Sequence, residues 1–118
     1  RGSREYQLDD LMMLKVGRHI RPSKRFKLIV AREEGEVKFM EGYRNQYTNL
    51  YPTSCNGPLA LIDGKPNQED LKTAARVIAR YSQGRDEHSV DIEVRLESGV
   101  QQQFRVEPFS EIPKEWFV

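Results

Sequence analysis

The sequence predicts an α+β fold in which a mostly antiparallel sheet packs against two helices. Residues 67–84 carry apolar side chains at the helical spacings of three and four, between a helix start signal and a stop signal. Segments 90–96 and 100–106 flank a short turn, and the first alternates apolar and charged residues as a half-buried strand does. Further short apolar runs between turn residues add strands to the same sheet.

Length and composition favour one compact domain. The chain has 118 residues, 37% of them hydrophobic and 31% charged, which allows one buried core beneath an ionic surface. We interpret residues 1–10 as a linker segment, native or left by cloning, and residues 11–118 as a single domain. No apolar run approaches the roughly 18 residues needed to cross a bilayer, so we expect no membrane as a partner. Cys55 is the one cysteine, which fits a reducing, cytoplasmic location.

Two strands are expected near the amino end. Residues 11–16 form a short apolar run that ends at Gly17, and we predict a strand there. Residues 24–30 follow the breaker Pro22 and are rich in apolar side chains, which predicts a second strand. We expect residues 17–23 to form the connection between them or a distorted hairpin.

A first helix is predicted at 33–44, where acids lie near the amino end and favour the helix dipole. Its apolar residues on one face are Val37, Met40 and Tyr43. Residues 45–58 are polar and end in a strong turn signal, so we expect an irregular segment there. Residues 59–62 (LALI) predict a short buried strand.

The second helix is the clearest element. Asn67 can accept a hydrogen bond at its amino end, and Asp70 occupies the position of the capping-box partner. Gly84 is the expected stop. The face predicted to pack on the sheet carries Leu71, Ala74, Ala75, Ile78, Tyr81 and Ser82. We also expect Trp116 and Phe117 to dock on the body, because two aromatic rings would otherwise remain in water.

Positive charge is concentrated near the amino end, although the net charge is only +1. Residues 15–32 contain seven cations and no acid, whereas 15 acids and 10 bases follow them. Clustered cations are typical of proteins that bind a polyanion through its phosphates. Arg25 and Lys27 should share one strand face, while Phe26 and Leu28 share the other. The candidate RNA-contacting residues in this run are Lys15, Arg18, His19, Arg21, Lys24, Arg25, Lys27 and Arg32.

The second helix adds another group of cations. Three recur every four residues and form one stripe beside the core face, namely Lys72, Arg76 and Arg80. We interpret this stripe as a second wall of an RNA-binding groove; an ordinary solvated surface is the alternative for both groups. Tyr47 and Tyr51 can stack unpaired bases or pack in a loop, whereas Tyr43 is expected in the core.

The sequence shows no catalytic or metal-binding constellation. Cys55 has no basic neighbour in sequence to activate it, so a structural thiol is favoured over a sulfur relay. His19 and His88 lie far apart, and no cluster has the spacing of zinc ligands. Neither a Walker loop nor a pyrophosphatase-type S-G-G-x-D-S loop is present, so we expect no cofactor in this domain.

Three segments resemble the NFACT-R family of domains. Residues 16–21 (VGRHIR) are similar to its Val-Gly-Arg-(Asn/His)-x-x opening. Residues 74–82 (AARVIARYS), with 90–94 (VDIEV), are similar to its helix and the strand after it. Residues 56–61 (NGPLAL) resemble its Pro-Gly-Ser-His-Val segment loosely, since the Pro-Gly order is inverted and the Ser-His pair is missing. The order and spacing agree over residues 12–106, and the motif positions that carry over are Gly17, Arg18 and Arg21.

The resemblance implies a non-catalytic domain that binds RNA. The subgroup that this chain resembles most lies at the carboxyl end of tRNA thiouridylase-like proteins, behind a domain that adenylates uridine with ATP. The resemblance therefore implies two partners, tRNA and an N-terminal catalytic domain of the same chain. It also implies that the full-length parent enzyme uses ATP. The alternatives are a protein-interaction domain that docks an acidic partner or its own missing half, and a small enzyme that uses Cys55. A ribosome-associated quality-control module is a further alternative, which the missing Ser-His pair disfavours.

Overall fold

A computed structural model describes residues 17–42 and 46–117 of the chain. Its elements are β1 (Arg18–Ser23), β2 (Phe26–Val30), α1 (Glu34–Glu41), β3 (Thr48–Pro52), β4 (Ala60–Gly64), α2 (Gln68–Tyr81), β5 (Val90–Arg95), β6 (Gln101–Val106) and a 3₁₀ turn (Lys114–Trp116). The strands form one six-stranded sheet in the order β1-β2-β4-β3-β5-β6, and every described pairing is antiparallel. The predicted α+β fold, an antiparallel sheet with two helices, is confirmed.

The sheet has a buried face under α2 and a second face under α1. Ile20, Leu28 and Ile62 stand opposite one another across three strands and belong to the core that α2 covers. Ile29 and Leu61, one residue along, point the other way and join the smaller cluster that contains Met40 of α1. The two faces follow from the period of two along each strand.

Helix α2 begins with the predicted capping box. The Asn67 side chain accepts from the Asp70 N–H at 2.8 Å, and the Asp70 carboxylate accepts from the Asn67 N–H at 3.0 Å. The helix ends at Tyr81, before the predicted stop at Gly84. Ser82 ends it because its buried hydroxyl donates to the carbonyl of Ala79 at 2.7 Å and accepts from the Gly84 N–H.

Some predicted elements differ from the structure. Residues 18–23 are a strand of their own, with an irregularity between Ile20 and Ser23, and not only a connection. The segment 45–58, predicted to be irregular, contains β3, which is buried between β4 and β5. Its sequence TNLYP combines Thr48 and Tyr51, which favour strands, with Asn49 and Pro52, which do not, so the pairing of its neighbours decides the conformation. The first helix is shorter than predicted, and the strand predicted at 11–16 lies outside the described residues.

The carboxyl-terminal segment runs from one edge of the sheet to the other. It leaves β6, and the Phe109 N–H then donates to the carbonyl of Arg76 on α2. Trp116 stands edge-on to Phe109, with ring centroids 5.7 Å apart, and Phe117 forms an isolated bridge with Ile20 of β1. The predicted docking is confirmed for Trp116, whereas Phe117 remains 47% exposed. Within the described ranges, neither helix has the length and apolar character that a bilayer crossing requires.

Candidate functional site

An open cleft of about 320 Å³ lies at the end of the sheet where β1 begins and β2 ends. Strand β1 contributes Arg18, the residues after β2 contribute Arg32, and the turn after α2 contributes Arg85. The other lining residues come from the segment between β2 and α1, α1 itself, the end of α2 with the turn after it, and the loop before β4: Ala31, Glu33, Val37, Asn56, Gly57, Pro58, Tyr81, Ser82 and Gln83. Segments far apart in sequence therefore place three arginines around one concave surface.

Two loops that contact each other form part of the cleft wall. The Gln83 N–H donates to the carbonyl of Asn56 at 2.8 Å, which joins the turn after α2 to the loop before β4. Gly57 lies so close that a Cβ atom there would stand 2.6 Å from Pro52 Cγ and 2.8 Å from Ser82 Cβ. A side chain at this position would therefore separate the two loops.

Arg18 is held against an aromatic ring. Its guanidinium carbon lies 4.9 Å from the centroid of the Tyr81 ring, within the range of a cation–π contact. Burial raises the pKa of the Tyr81 hydroxyl above its ordinary value, and the charges of Arg18 and Arg80 act in the opposite direction. The ring limits the positions that the Arg18 side chain can take, although Arg18 itself is exposed.

Arg32 is oriented by Glu36. The Glu36 carboxylate accepts from the Arg32 guanidinium at 2.7 and 3.1 Å and from the Arg32 backbone N–H at 2.9 Å. The pKa of Glu36 is lowered to about 2, and the hydrogen bond from the Arg32 side chain is the largest cause. Hydrogen bonds from the backbone N–H groups of Gly17 and Arg32 lower it further. Half of the Arg32 side chain remains exposed, so it can bind an anion while it keeps this partner.

Arg85 was not among the sequence-predicted candidates. It is exposed and follows the turn that Ser82 and Gly84 form at the end of α2. Its position just after a helix with three regularly spaced cations was a weak signal in the sequence. The contributions of Asn56 and Gln83 could not be predicted, because only tertiary packing brings their segments together.

The other end of the β1–β2 hairpin is also cationic, but one of its arginines, Arg25, has a structural partner. Arg25 lies in the turn before β2 and donates to the Asp70 carboxylate from Nε at 2.6 Å and from Nη2 at 2.8 Å. The Arg25 hydrogen bond is the largest cause of the lowered pKa of Asp70. Lys24 and Arg21 are exposed near this end.

Lys27 and His19 do not line the cleft. Lys27 is half-buried on β2 opposite Asp63, on the sheet face that lies away from α2. His19 is half-buried opposite Ile29 on the same face. The expectation that Arg25 and Lys27 share one face is wrong, because Arg25 lies in the turn and extends to the amino end of α2. Phe26 and Leu28 do share the buried face, as predicted.

The stripe on α2 is divided among different roles. Arg76 Nε donates to the carbonyl of Glu107 at 2.9 Å, and its guanidinium carbon lies 4.0 Å from the centroid of the Phe109 ring. Arg76 therefore holds the carboxyl-terminal segment on the helix. Lys72 is exposed and Arg80 is half-buried, so these two remain on the helix surface.

The remaining candidates lie elsewhere. Lys15 and Tyr43 are outside the described residues. Tyr47 is buried, which removes it from base stacking, and the hydroxyl of the half-buried Tyr51 donates to Glu93 at 2.5 Å. Cys55 is a half-buried free thiol beside Gly84. Across residues 17–42 and 46–117, no three histidine, cysteine or acidic side chains are grouped as metal ligands would be.

Comparisons with known proteins agree with the resemblance at the level of the family. Residues 17–117 match the family described as "NFACT protein RNA binding domain". A search of curated protein sequences gives no match. Among solved structures, the chain is similar to the C-terminal part of the fibronectin/fibrinogen-binding protein from Streptococcus suis, with a TM-score of 0.73 and 15% identity. That alignment covers 87% of this chain and 49% of the other, so it shows a shared fold over about half of the other chain.

Proposed function

Because the chain belongs to the family of NFACT protein RNA-binding domains, we propose that it is a non-catalytic accessory domain that binds RNA at the arginine-lined cleft. The cleft combines three cations from separate segments with a concave shape. Two of these cations are already oriented, Arg18 by Tyr81 and Arg32 by Glu36. Guanidinium groups held in this way match phosphate oxygens with little further loss of side-chain freedom.

The convergence of three motif segments on this cleft is the observation that carries the proposal. The segments that resemble the family at 16–21, 56–61 and 74–82 are separated by 34 and by 12 residues. The first supplies Arg18, the second supplies the 56–58 loop, and the third supplies Tyr81 and Ser82. Packing alone would not require all three to end at the same open surface.

Binding to an unmodified tRNA at two salt concentrations tests the proposal. If the three arginines contact phosphates, affinity should fall roughly 20- to 40-fold between about 50 and 200 mM salt. The measurement is fluorescence anisotropy with labelled tRNA and the 118-residue chain. Absence of tRNA binding at low salt would contradict the proposal. Preferential, salt-sensitive binding to an acidic polypeptide would favour the protein-interaction alternative.

At a finer level, we propose that the RNA is tRNA and that the parent protein is a cytoplasmic, ATP-dependent uridine-thiolating enzyme. The support is the resemblance of residues 16–21 and 74–94 to the subgroup that follows an ATP-pyrophosphatase domain. In that arrangement, the cleft holds the tRNA while an N-terminal catalytic domain adenylates a uridine. This domain then needs no cofactor of its own.

Thiolation of tRNA by the full-length protein tests the finer proposal. A Cys55→Ser variant should retain thiolation, because the accessory domain performs no chemistry. Loss of thiolation by this variant, with tRNA binding intact, would return Cys55 to the reaction as a sulfur carrier. A parent protein without an S-G-G-x-D-S loop would contradict the proposed enzyme class while leaving RNA binding in place.

A further inference from the structure

We propose that the cleft takes a single unpaired nucleotide and contacts its base as well as its phosphate, an inference that rests on the proposed RNA-binding function. Such a site differs from a flat basic surface, which would contact only the phosphates along a duplex. Three properties of the cleft carry it: size, polar chemistry and ordered walls.

The size of the cleft favours one nucleotide. Its volume of about 320 Å³ falls at the lower end of the range for small-molecule sites, about 300–1,000 Å³. A cube of that volume is roughly 7 Å on a side. A duplex is wider than its own grooves, and the major groove of B-form DNA is already about 12 Å wide. A duplex can therefore touch the rim, but only an unstacked nucleotide can fill the interior.

The lining provides a stacking surface for a base. Arg18 lines the cleft with its guanidinium beside the Tyr81 ring. Arginine planes and aromatic rings are the groups on which proteins stack unpaired RNA bases. Because Tyr81 supports one side of Arg18, the guanidinium can stack on a base without losing much additional freedom.

The lining also provides groups for the base edge and the phosphate. The exposed side chains of Asn56 and Gln83 each carry an amide, which both donates and accepts hydrogen bonds. Such groups match the edge of a base, whereas a phosphate needs only donors. Arg32 and Arg85 provide those donors.

The walls are ordered by contacts within the domain. Glu36 fixes Arg32, and the bond from Gln83 N–H to the Asn56 carbonyl fixes the two loops that carry the amides. Gly57 permits those loops to touch. Ordered walls favour a ligand of defined shape, because little entropy is lost when the ligand binds.

A pair of single-stranded probes with equal phosphate content tests the inference. One probe is a mixed-sequence RNA of about eight nucleotides, within the usual site size, and the other has the same length with abasic riboses throughout. Since one stacked base contributes about five- to 150-fold in affinity, the normal probe should bind at least about fivefold more tightly. Arg18→Ala should remove most of this difference, whereas Arg85→Ala should weaken both probes by similar factors.

A control and a second variant keep the test decisive. Arg105→Ala is the matched control, because Arg105 is an exposed arginine that pairs with Asp91 on the face of β5 and β6. It should leave both affinities within about twofold. Gln83→Ala should reduce the preference even if Arg18→Ala unfolds the domain, since its backbone N–H remains bonded to Asn56.

The outcomes separate this inference from the proposed function. Equal affinity for the normal and abasic probes, or a preference that survives both Arg18→Ala and Gln83→Ala, would overturn the unpaired-nucleotide site while RNA binding stands. Failure of tRNA and both probes to bind at low salt would overturn RNA binding itself. A base preference lost in the cleft variants and kept in Arg105→Ala is the result expected.

Discussion

The two ends of the β1–β2 hairpin contain cations from the same basic run but use them differently. At the end formed by Arg18 and Arg32, the guanidiniums line a cleft and remain exposed. At the other end, Arg25 extends across to α2 and makes two hydrogen bonds with Asp70, which also closes the capping box of that helix. A six-residue strand separates the ends by about 17 Å.

This difference shows that the environment of an arginine, more than its place in a charged run, decides its role. Asp70 is nearly buried and needs a cation, so Arg25 stabilises the fold. Glu36 binds Arg32 as well, but that pair stands at the rim of a concave surface that the ligand can reach. Substitutions at the two ends should therefore distinguish the structural arginine from those that bind RNA.

The largest effect is expected from Asp70→Ala. The substitution removes the reciprocal capping bond and the partner of Arg25, so the free energy of unfolding should fall by about 2 kcal/mol. Chemical denaturation measures the change. RNA affinity at a temperature where the variant is folded should stay within about twofold. A strong loss of affinity in the folded variant would show that the two ends are not separate.

Arg18→Ala and Arg25→Ala form the matched comparison between the two ends. Arg18→Ala should weaken RNA binding about tenfold, which lies within the range for the loss of one stacked base. Arg25→Ala should change affinity less than about twofold while lowering the thermal midpoint. Both are measured by anisotropy and thermal denaturation under one buffer condition. The reverse pattern would place the RNA at the Arg25 end.

Acid titration should show the Glu36 contribution. The pKa of Glu36 is about 2 in the folded protein and near 4.5 in the unfolded chain. The ionised Glu36 therefore stabilises the folded state fully above about pH 4.5, and this contribution is lost as the pH falls toward 2. Glu36→Gln should cost about 1 kcal/mol at neutral pH. The gap between wild type and variant should narrow through that window. A gap that stays constant with pH would show that the carboxylate charge is not the cause.

The smallest effect is a change in salt dependence. Replacing Arg85 by Ala should reduce the slope of log affinity against log salt by about 0.7 to 0.9, the value for one phosphate contact. Anisotropy titrations at several salt concentrations give the slope. An unchanged slope with unchanged affinity would remove Arg85 from the interface.

The sequence predicted the elements whose signals are local. Helix α2 with its capping box and the β5–β6 hairpin follow from periodicity and turn residues within short segments. Strand β3 was missed because its burial comes from β4 and β5 on either side. Arg25 and Asp70 are 45 positions apart in the sequence, so no local pattern indicates that they pair. The cleft was only partly predicted, through Arg18 and Arg32, because Asn56, Gln83 and Arg85 reach it through tertiary packing.

Mapping the RNA on the isotope-labelled chain by nuclear magnetic resonance tests the central claim most directly. On addition of a short single-stranded RNA, amide shifts should concentrate at Arg18, Arg32, Gly57, Gln83 and Arg85, around the arginine-lined cleft. Shifts that instead centre on Lys24 and Arg25, with the cleft residues unchanged, would contradict the account.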